Sequence, residues 1–467
     1  NNPKEAYHMA GISHISAINA SLPFVHFFDG FRTSHEIQKI EIIDTDKLYD
    51  FIDLDKLNEF RNKGMNSNKP TTRGTAENDD VYFQHMESRN KNYDEAVYEV
   101  VNVMNKFNEL NGTDYKPFNY YGVDDATDVI VAMGSVCDTI KEVVDYLNSN
   151  GSKVGLISVH LYRPFSVEYL CDVLPNTVKM VAVLDRAKDI AANGEPLYLD
   201  VVDALKDKNI KVTGGRYGLS SKNTTPAQVK TIFDMMYNNS LSHNFTIGIN
   251  DDVTNLSLPK YDYNIDLGAQ EIKIFGFGSD GMVSTSKDIM KIMGAGTDKF
   301  VQSYNQYDSK KSGGVTICNL RISDKPINAP FYVTNPGIVV LTKDEYLFED
   351  IDTYPEELPQ KSGSLNMGDN EILLMTPKEI EDQVKRSIKG QDEAIRKIVT
   401  ALWITMNFRN MRKKNMLIIG PSGVGKTAIF EKIKKWYAAG LWTKEMVQKA
   451  LEKGYITQEQ WGIISGK

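Results

Sequence analysis

Apolar side chains recur every three to four residues over Ala6–Asn19, where Met9, Ile12, Ile15 and Ile18 share a face. They do so again over Asp94–Leu110, with Val97, Val100, Val101, Met104 and Phe107. That period predicts amphipathic helices. Between them Phe24–Phe28, an apolar run closed by Asp29–Gly30, predicts a short strand. Ser34–Ile43 and Asp46–Phe60 predict helical or mixed segments, and the polar stretch from Asn62 to Asp80, with Pro70 and Gly74, an extended arm. From Phe118 the pattern changes. Unbroken apolar runs at Val129–Met133, Val154–Val159 and Val178–Leu184, and a shorter one at Lys211–Thr213 before Gly214–Gly215, alternate with helical segments that end at Leu147, Cys171 and Leu205. Strands without polar alternation are buried on both faces, and their alternation with helices predicts a parallel sheet. A further unit follows, with strands at Phe245–Ile249, Glu271–Phe275, Val315–Ile322, Phe331–Thr334 and Ile338–Leu341 and a helix at Ser284–Met293. Phe348–Asn370 is acidic and turn-rich and reads as a linker. After it come a mostly helical Thr376–Met406, a strand at Asn415–Ile419, a glycine-rich loop and two short helices.

The 467 residues suggest about three domains, and no stretch approaches twenty apolar residues, so no membrane span is expected. The N-terminal residues show no signal peptide pattern. Only Cys137, Cys171 and Cys318 are present, which excludes a disulfide framework and a four-cysteine iron–sulfur cluster held within one chain; the expected compartment is the cytoplasm. Charge is divided unevenly. Residues 371–467 hold 18 Lys and Arg against 10 Asp and Glu, net +8, leaving 36 against 52, net −16, for the first 370. All four tryptophans (Trp403, Trp436, Trp442, Trp461) also lie in that basic part. The asymmetry fits either a nucleic-acid surface or pieces of different origin in one chain. Arg412–Lys414 and Lys432, Lys434 and Lys435 lack an aromatic stacking platform, so a solvated face is expected and nucleic acid is not.

The most specific local motif is Gly420-Pro421-Ser422-Gly423-Val424-Gly425-Lys426-Thr427. In such a P-loop, backbone N–H groups around Gly420, Ser422, Gly423 and Gly425 converge on nucleotide phosphates. Lys426 reaches the β- and γ-phosphates and Thr427 would bind Mg²⁺ if ATP binds. No apolar strand ending in an acid follows within the remaining residues, so hydrolysis is not expected. With Ile388-Lys389-Gly390-Gln391 upstream, residues 371–429 resemble the start of a Clp-type AAA+ ATPase. That resemblance implies Ile388, Gly390 and Gln391 as adenine-pocket candidates; a plain helix N-terminus is the alternative. The pattern then stops. Phe430–Tyr437, Ala439–Thr443 and Ile463–Gly466 resemble the short XkdX-type proteins of phage tail clusters, and by themselves read as two small amphipathic helices with aromatic anchors.

The longest resemblance lies upstream. Phe27-Phe28-Asp29-Gly30-Phe31-Arg32-Thr33-Ser34-His35-Glu36, Thr72–Ala76, Val131–Cys137, His160–Phe165, Gly214–Leu219, Gly276–Gly281 and Tyr307–Gly314 together resemble pyruvate:ferredoxin (flavodoxin) oxidoreductase, over roughly residues 1–350. The resemblance implies consecutive parallel-sheet α/β domains, the second like the transketolase C-terminal domain; the truncated P-loop segment and the small helical tail follow them in the chain. Its divisions are 1–60 (end of domain I), 61–117 (arm and helix), 118–240 (domain II), 241–350 (domain III), 351–370 (linker), 371–429 (AAA+ segment) and 430–467 (tail). The family oxidises pyruvate to acetyl-CoA with thiamine pyrophosphate, Mg²⁺, iron–sulfur clusters and coenzyme A, passes electrons to ferredoxin or flavodoxin, and is typically homodimeric.

By the same resemblance, the thiamine-activating glutamate and the cluster cysteines belong to parts of the family outside the matched stretch. No catalytic residue is assigned, and the chain alone is expected to be inactive, a central piece that needs the missing parts of the oxidoreductase. Coenzyme A candidates are Arg216, Lys222, Lys310, Lys311 and Ser312, where cations sit beside glycines and serines; ordinary tight turns explain them equally well. After Gly281 the family reads Thr-Val-Gly-Ala-Asn-Lys where this chain has Met282–Lys287, a change expected to tighten the helix start. The seven histidines show no metal spacing, and Asp79–Asp80 and Asp251–Asp252 are poor acid–base pairs. The joints near 355–370 and 429 suggest a chimera.

Overall fold

A computed structural model defines the fold. It describes residues 2–70, 76–261, 263, 265–277, 281–306 and 314–341, with 373–374, 418–419 and 458–465. The chain divides into two compact units, one of residues 1–36, 40–265 and 328–331, the other of 37–39, 266–327 and 332–467.

The first unit opens with helix α1 (Pro3–Ala20). Pro sits in its first turn, and the Asn2 side chain accepts the Glu5 N–H at 2.9 Å. The face of Met9, Ile12 and Ile15 packs on Val97, Val100, Val103, Met104 and Phe107 of a long later helix, α5. Val103, not Val101, completes that face: Val101 is only half-buried. Between the two lie a short strand, β1 (Glu36–Gln38), and three helices, α2 (Thr45–Leu48), α3 (Leu54–Asn62) and α4 (Tyr82–Glu87), before α5 itself (Asn90–Asn111). The three intervening helices bury no residue. The strand expected at Phe24–Phe28 does not form. Residues 23–29 join no ladder, and Val25 is 84% exposed. Apolar content predicts burial, whereas a strand also needs a neighbour for its backbone.

A six-stranded sheet carries the rest of this unit. Its elements are β2 (Phe118–Gly122), β3 (Asp128–Ala132), α6 (Val136–Ser149), β4 (Val154–Val159), α7 (Val167–Val173), β5 (Met180–Asp185), α8 (Pro196–Leu205), β6 (Lys211–Arg216), α9 (Pro226–Tyr237) and β7 (Phe245–Thr246). The order is β2-β4-β3-β5-β6-β7, parallel throughout except for β2 against β4. Ile130 and Ala132 face α6 and α9, while Val129 and Val131 face α7 and α8, so both sides are apolar. That is why β4 and β5 read as unbroken apolar runs. Strand β6 continues through Gly214 and Gly215, where the sequence reading stopped it. A Cβ on Gly215 would lie 2.1 Å from the Phe245 ring, so glycine lets the ring close over the strand.

The second unit departs from the expected parallel sheet. Its elements are β8 (Gln270–Phe277), α10 (Met282–Gly296), β9 (Phe300–Gln306), β10 (Val315–Ser323) and β11 (Ile338–Leu341). The order is β1-β9-β10-β8-β11, with β10 antiparallel to both neighbours and only β8 and β11 parallel. The link between β9 and β10 is too short for a parallel crossover, which needs a dozen or more residues. Phe331–Thr334 forms no strand. Helix α10 lays Met282, Ile289, Met290 and Met293 on Ile274, Val301, Cys318 and Leu320. On the opposite face the Arg321 guanidinium donates to Glu271 at 2.7 Å and to Gln302 at 3.2 Å, and Asn319 donates to Gln306 at 3.1 Å. Helix α10 starts at Met282 behind Gly281, which holds φ 90°, and Thr285 Oγ1 donates to the Gly281 carbonyl. In the remaining described residues β12 (Leu373–Leu374) pairs antiparallel with β13 (Ile418–Ile419), and α11 spans Gln458–Ser465.

Candidate functional site

In an open parallel sheet, ligands bind outside the carboxyl ends of strands at the point where successive connections leave in opposite directions. In the first unit that point lies between β3, whose helix α6 leads to β4, and β5, whose helix α8 leads to β6. A cleft is present there. It is lined by Ser135, Val136 and Thr139 after β3, Arg186 after β5, Tyr217, Gly218, Lys222 and Thr224 after β6, together with Arg32 and Pro330.

The cleft is built from polar contacts between segments distant in sequence. Helix α6 starts without a side-chain cap of its own; the Ser135 N–H instead donates to Asp29 Oδ2 at 2.6 Å. Gly134 holds φ +87°, and a Cβ there would lie 2.8 Å from the same oxygen. Arg186 pairs with Asp29 Oδ1 at 2.8 Å and donates to the Gly218 carbonyl at 2.8 Å and to Ser221 Oγ at 2.7 Å. Ser221 Oγ donates in turn to the Gly30 carbonyl at 3.0 Å. Arg32, buried, donates to the Ser221 carbonyl at 3.0 and 2.6 Å and to Asn223 Oδ1 at 3.2 Å. Ser220 and Ser221 both hold positive φ, a strained conformation kept by these bonds.

Titration follows the same contacts. Burial raises the Asp29 carboxyl, but the Ser135 hydrogen bonds and Arg186 outweigh it and hold the group below the usual carboxylate range. Asp185, at the end of β5, accepts the Leu197 and Tyr198 N–H groups of α8 at 3.0 Å each. Burial there outweighs both donors and raises it to about 6. Burial also lifts the Tyr217 phenol, which donates to the Met133 carbonyl at 3.2 Å, well above its ordinary range.

Of the residues expected from sequence, Lys222 lines this cleft. Arg216 does not; its guanidinium pairs with buried Glu195 at 3.0 Å and donates to the Asn244 carbonyl at 3.0 Å. Lys310, Lys311, Ser312, Ile388, Gly390, Gln391, Gly420, Ser422, Gly423, Gly425, Lys426 and Thr427 lie outside the described residues. Sequence reading quoted Asp29, Arg32, Ser135 and Tyr217 only as parts of motifs, and missed Arg186. Its signal was position: a cation directly after an apolar strand. Among the described residues no group of three His, Cys, Asp or Glu side chains is placed to hold a metal, and no helix is long and apolar enough to cross a membrane. The three cysteines are free, Cys137 and Cys318 buried and Cys171 half-buried.

A doubly wound, mostly parallel sheet with a small cleft at its switch point, lined in part by Arg32, Arg186 and Lys222, defines an α/β protein. Comparison with known proteins supplies the family. Residues 1–105 match the family model for the thiamine diphosphate-binding part of pyruvate flavodoxin/ferredoxin oxidoreductase. Residues 126–229 match pyruvate:ferredoxin oxidoreductase core domain II, and residues 271–455 match pyruvate ferredoxin/flavodoxin oxidoreductase. The chain is 45% identical over 344 residues to the pyruvate-flavodoxin oxidoreductase of Enterobacter agglomerans, covering 73% of this chain and 29% of that protein. It is 45% identical over 349 residues to the pyruvate:ferredoxin oxidoreductase of Moorella thermoacetica, covering 74% and 30%. This chain therefore belongs to the pyruvate:ferredoxin/flavodoxin oxidoreductase family, as a segment spanning about three tenths of the length of these relatives.

Proposed function

We propose that the segment serves the oxidative decarboxylation of pyruvate to acetyl-CoA, as the scaffold between parts that carry the redox chemistry, with electrons leaving to ferredoxin or flavodoxin. The support is the consecutive order of the three family matches, with 45% identity over 344 residues. Thiamine diphosphate would supply the carbanion chemistry when bound. Three cysteines do not fit a four-cysteine cluster, and no step is assigned to a cluster or a metal here. The activity is tested by splicing residues 1–341 into the corresponding place of the Moorella enzyme. Retained pyruvate-dependent viologen reduction supports the reading, and loss of it in a folded chimera overturns it. The unspliced chain, given pyruvate, thiamine diphosphate, Mg²⁺, coenzyme A and viologen, is expected to show no turnover above background.

Within this reading residues 118–240 act as the transketolase C-terminal-like domain and 241–350 as the domain near coenzyme A, with Lys222, Lys310, Lys311 and Ser312 the anion contacts and Arg216 a weaker one. Family partners imply a homodimer in the cytoplasm. A second reading concerns residues 371–429 alone. The motif Gly420–Thr427 favours ATP binding with Mg²⁺ on Thr427 and the adenine near Ile388, Gly390 and Gln391. Residues 430–467 would then be a phage-type interaction tail, and the chain a chimera of the three. Micromolar ATP binding that disappears in Lys426→Ala supports this, and equal absence of binding in both forms removes it.

A further inference from the structure

Between α3 and α5 the chain has regular structure without a core. Every residue of 58–70 and 76–95 is exposed, and burial resumes only at Ala96, within α5. These stretches are not wholly polar. Met65 is 85% exposed, Phe83 73% and Phe60 60%, and Tyr82 and Met86 are exposed as well. Tyr82 and Met86 stand four residues apart and Phe83 and Met86 three, so α4 gathers its apolar side chains on one side. Bonds within the stretch order it. The Tyr82 N–H donates to the Asn78 carbonyl at 2.9 Å, His85 Nδ1 lies 3.0 Å from Glu77 Oε1, and the Asn90 amide donates to Glu87 at 2.8 Å. Such bonds do not replace packing. A helix shorter than about 12–15 residues is marginal in water, and α4 has six. Neighbouring aromatic and methionine side chains left in solvent mark a surface that another protein surface covers. Length points to what covers it. Both stretches fall inside the first family match, residues 1–105, and some seven tenths of each relative's length lies outside the part this chain matches.

Given the reading of the chain as a segment of the oxidoreductase, on which this rests, we propose that residues 58–70 and 76–95 form a docking arm. Another part of the same enzyme, outside the stretch matched here, closes over Phe60, Met65, Tyr82, Phe83 and Met86. Hydrogen exchange read by mass spectrometry tests this in the full chain and in the folded Moorella splice. Peptides covering 58–70 and 82–95 are expected to exchange fast in the chain alone and at least about tenfold more slowly in the splice. Phe83→Ser should leave the melting midpoint of the chain unchanged, because the ring is already in water, and return the 82–95 peptide of the splice to fast exchange. Equal exchange in chain and splice overturns the proposal. So does protection in the chain alone that grows with its concentration, which assigns the face to a second copy. These readings need no turnover. An inactive splice with a protected arm counts against the proposed function and for the docking arm; an active splice with an unprotected arm does the reverse. If the splice does not fold, the corresponding peptides of the Moorella enzyme decide, slow exchange supporting the arm and fast exchange overturning it.

Discussion

Asp185 shows how position can turn an ordinary side chain into a titrating one. It sits at the carboxyl end of β5, nearly enclosed, and caps α8 through the Leu197 and Tyr198 N–H groups. Two backbone donors favour the charged form, but loss of water wins and the group rises to about 6 from 3.8. A carboxyl raised on folding contributes stability that is complete below its unfolded value and is lost as pH rises through its folded value. Stability is therefore expected to fall between about pH 4 and 6 by up to about 3 kcal/mol from this group. Carbon-detected titration of the Asp185 carboxyl in the folded chain checks this, and a midpoint at or below 4 would contradict it. Asp29, ion-paired to the adjacent Arg186 and lowered, acts in the opposite sense: its contribution is present above the ordinary carboxylate range and is lost on acidification.

At the scale of elements, helix α9 is the best-specified piece of the first unit. Thr225 accepts the Gln228 N–H and the Gln228 side chain accepts the Thr225 N–H, with Pro226 in the first turn. Thr225→Ala is expected to cost about 1 kcal/mol in urea denaturation, and no measurable loss would mean that packing of Val229, Ile232 and Phe233 alone starts the helix. The sequence reading did not place α9, although its cap is local; elsewhere local patterns were enough. Pro196–Leu205, Val154–Val159 and Ile338–Leu341 stand where the sequence placed them. Strand β9 was not legible: Gln302, Asn305 and Gln306 are buried, yet they are polar and take partners distant in sequence, Arg321 and Asn319 across the sheet and Ser286 on α10. The same reason hid Arg186. Its partners Asp29 and Ser221 are distant in sequence, and nothing about an isolated arginine announces a carboxylate more than a hundred residues away. Most of the strand–helix repeat of the first unit was readable, though not α9; the cleft, an assembly of long-range polar contacts, was readable only as unconnected motifs.

For the whole molecule, the division into two units makes a claim about cooperativity. Phe107 is fully buried between α1 and α5 in the first unit, and Phe107→Ala is expected to cost about 3–5 kcal/mol. If the units open separately, hydrogen exchange in β3, β4 and β5 should accelerate while β10 of the second unit keeps its wild-type rate. Equal acceleration in both would mean that they unfold as one body.

The cysteines make the same division visible to a chemical reagent. Cys137 lies in the core of the first unit with its thiol pushed up to about 11 by burial, and Cys318 lies in the core of the second. Alkylation requires thiolate and access, and both are denied at these positions while the chain is folded. Cys171 is half-exposed and should take iodoacetamide at once. The native chain is then expected to gain one adduct quickly and two slowly, as mass spectrometry would count them. The slow adducts carry addresses, for the date at which Cys137 reacts times the opening of one unit and that of Cys318 the other. Three thiols too few and too scattered to hold a metal cluster thus serve as a pair of clocks and a reference.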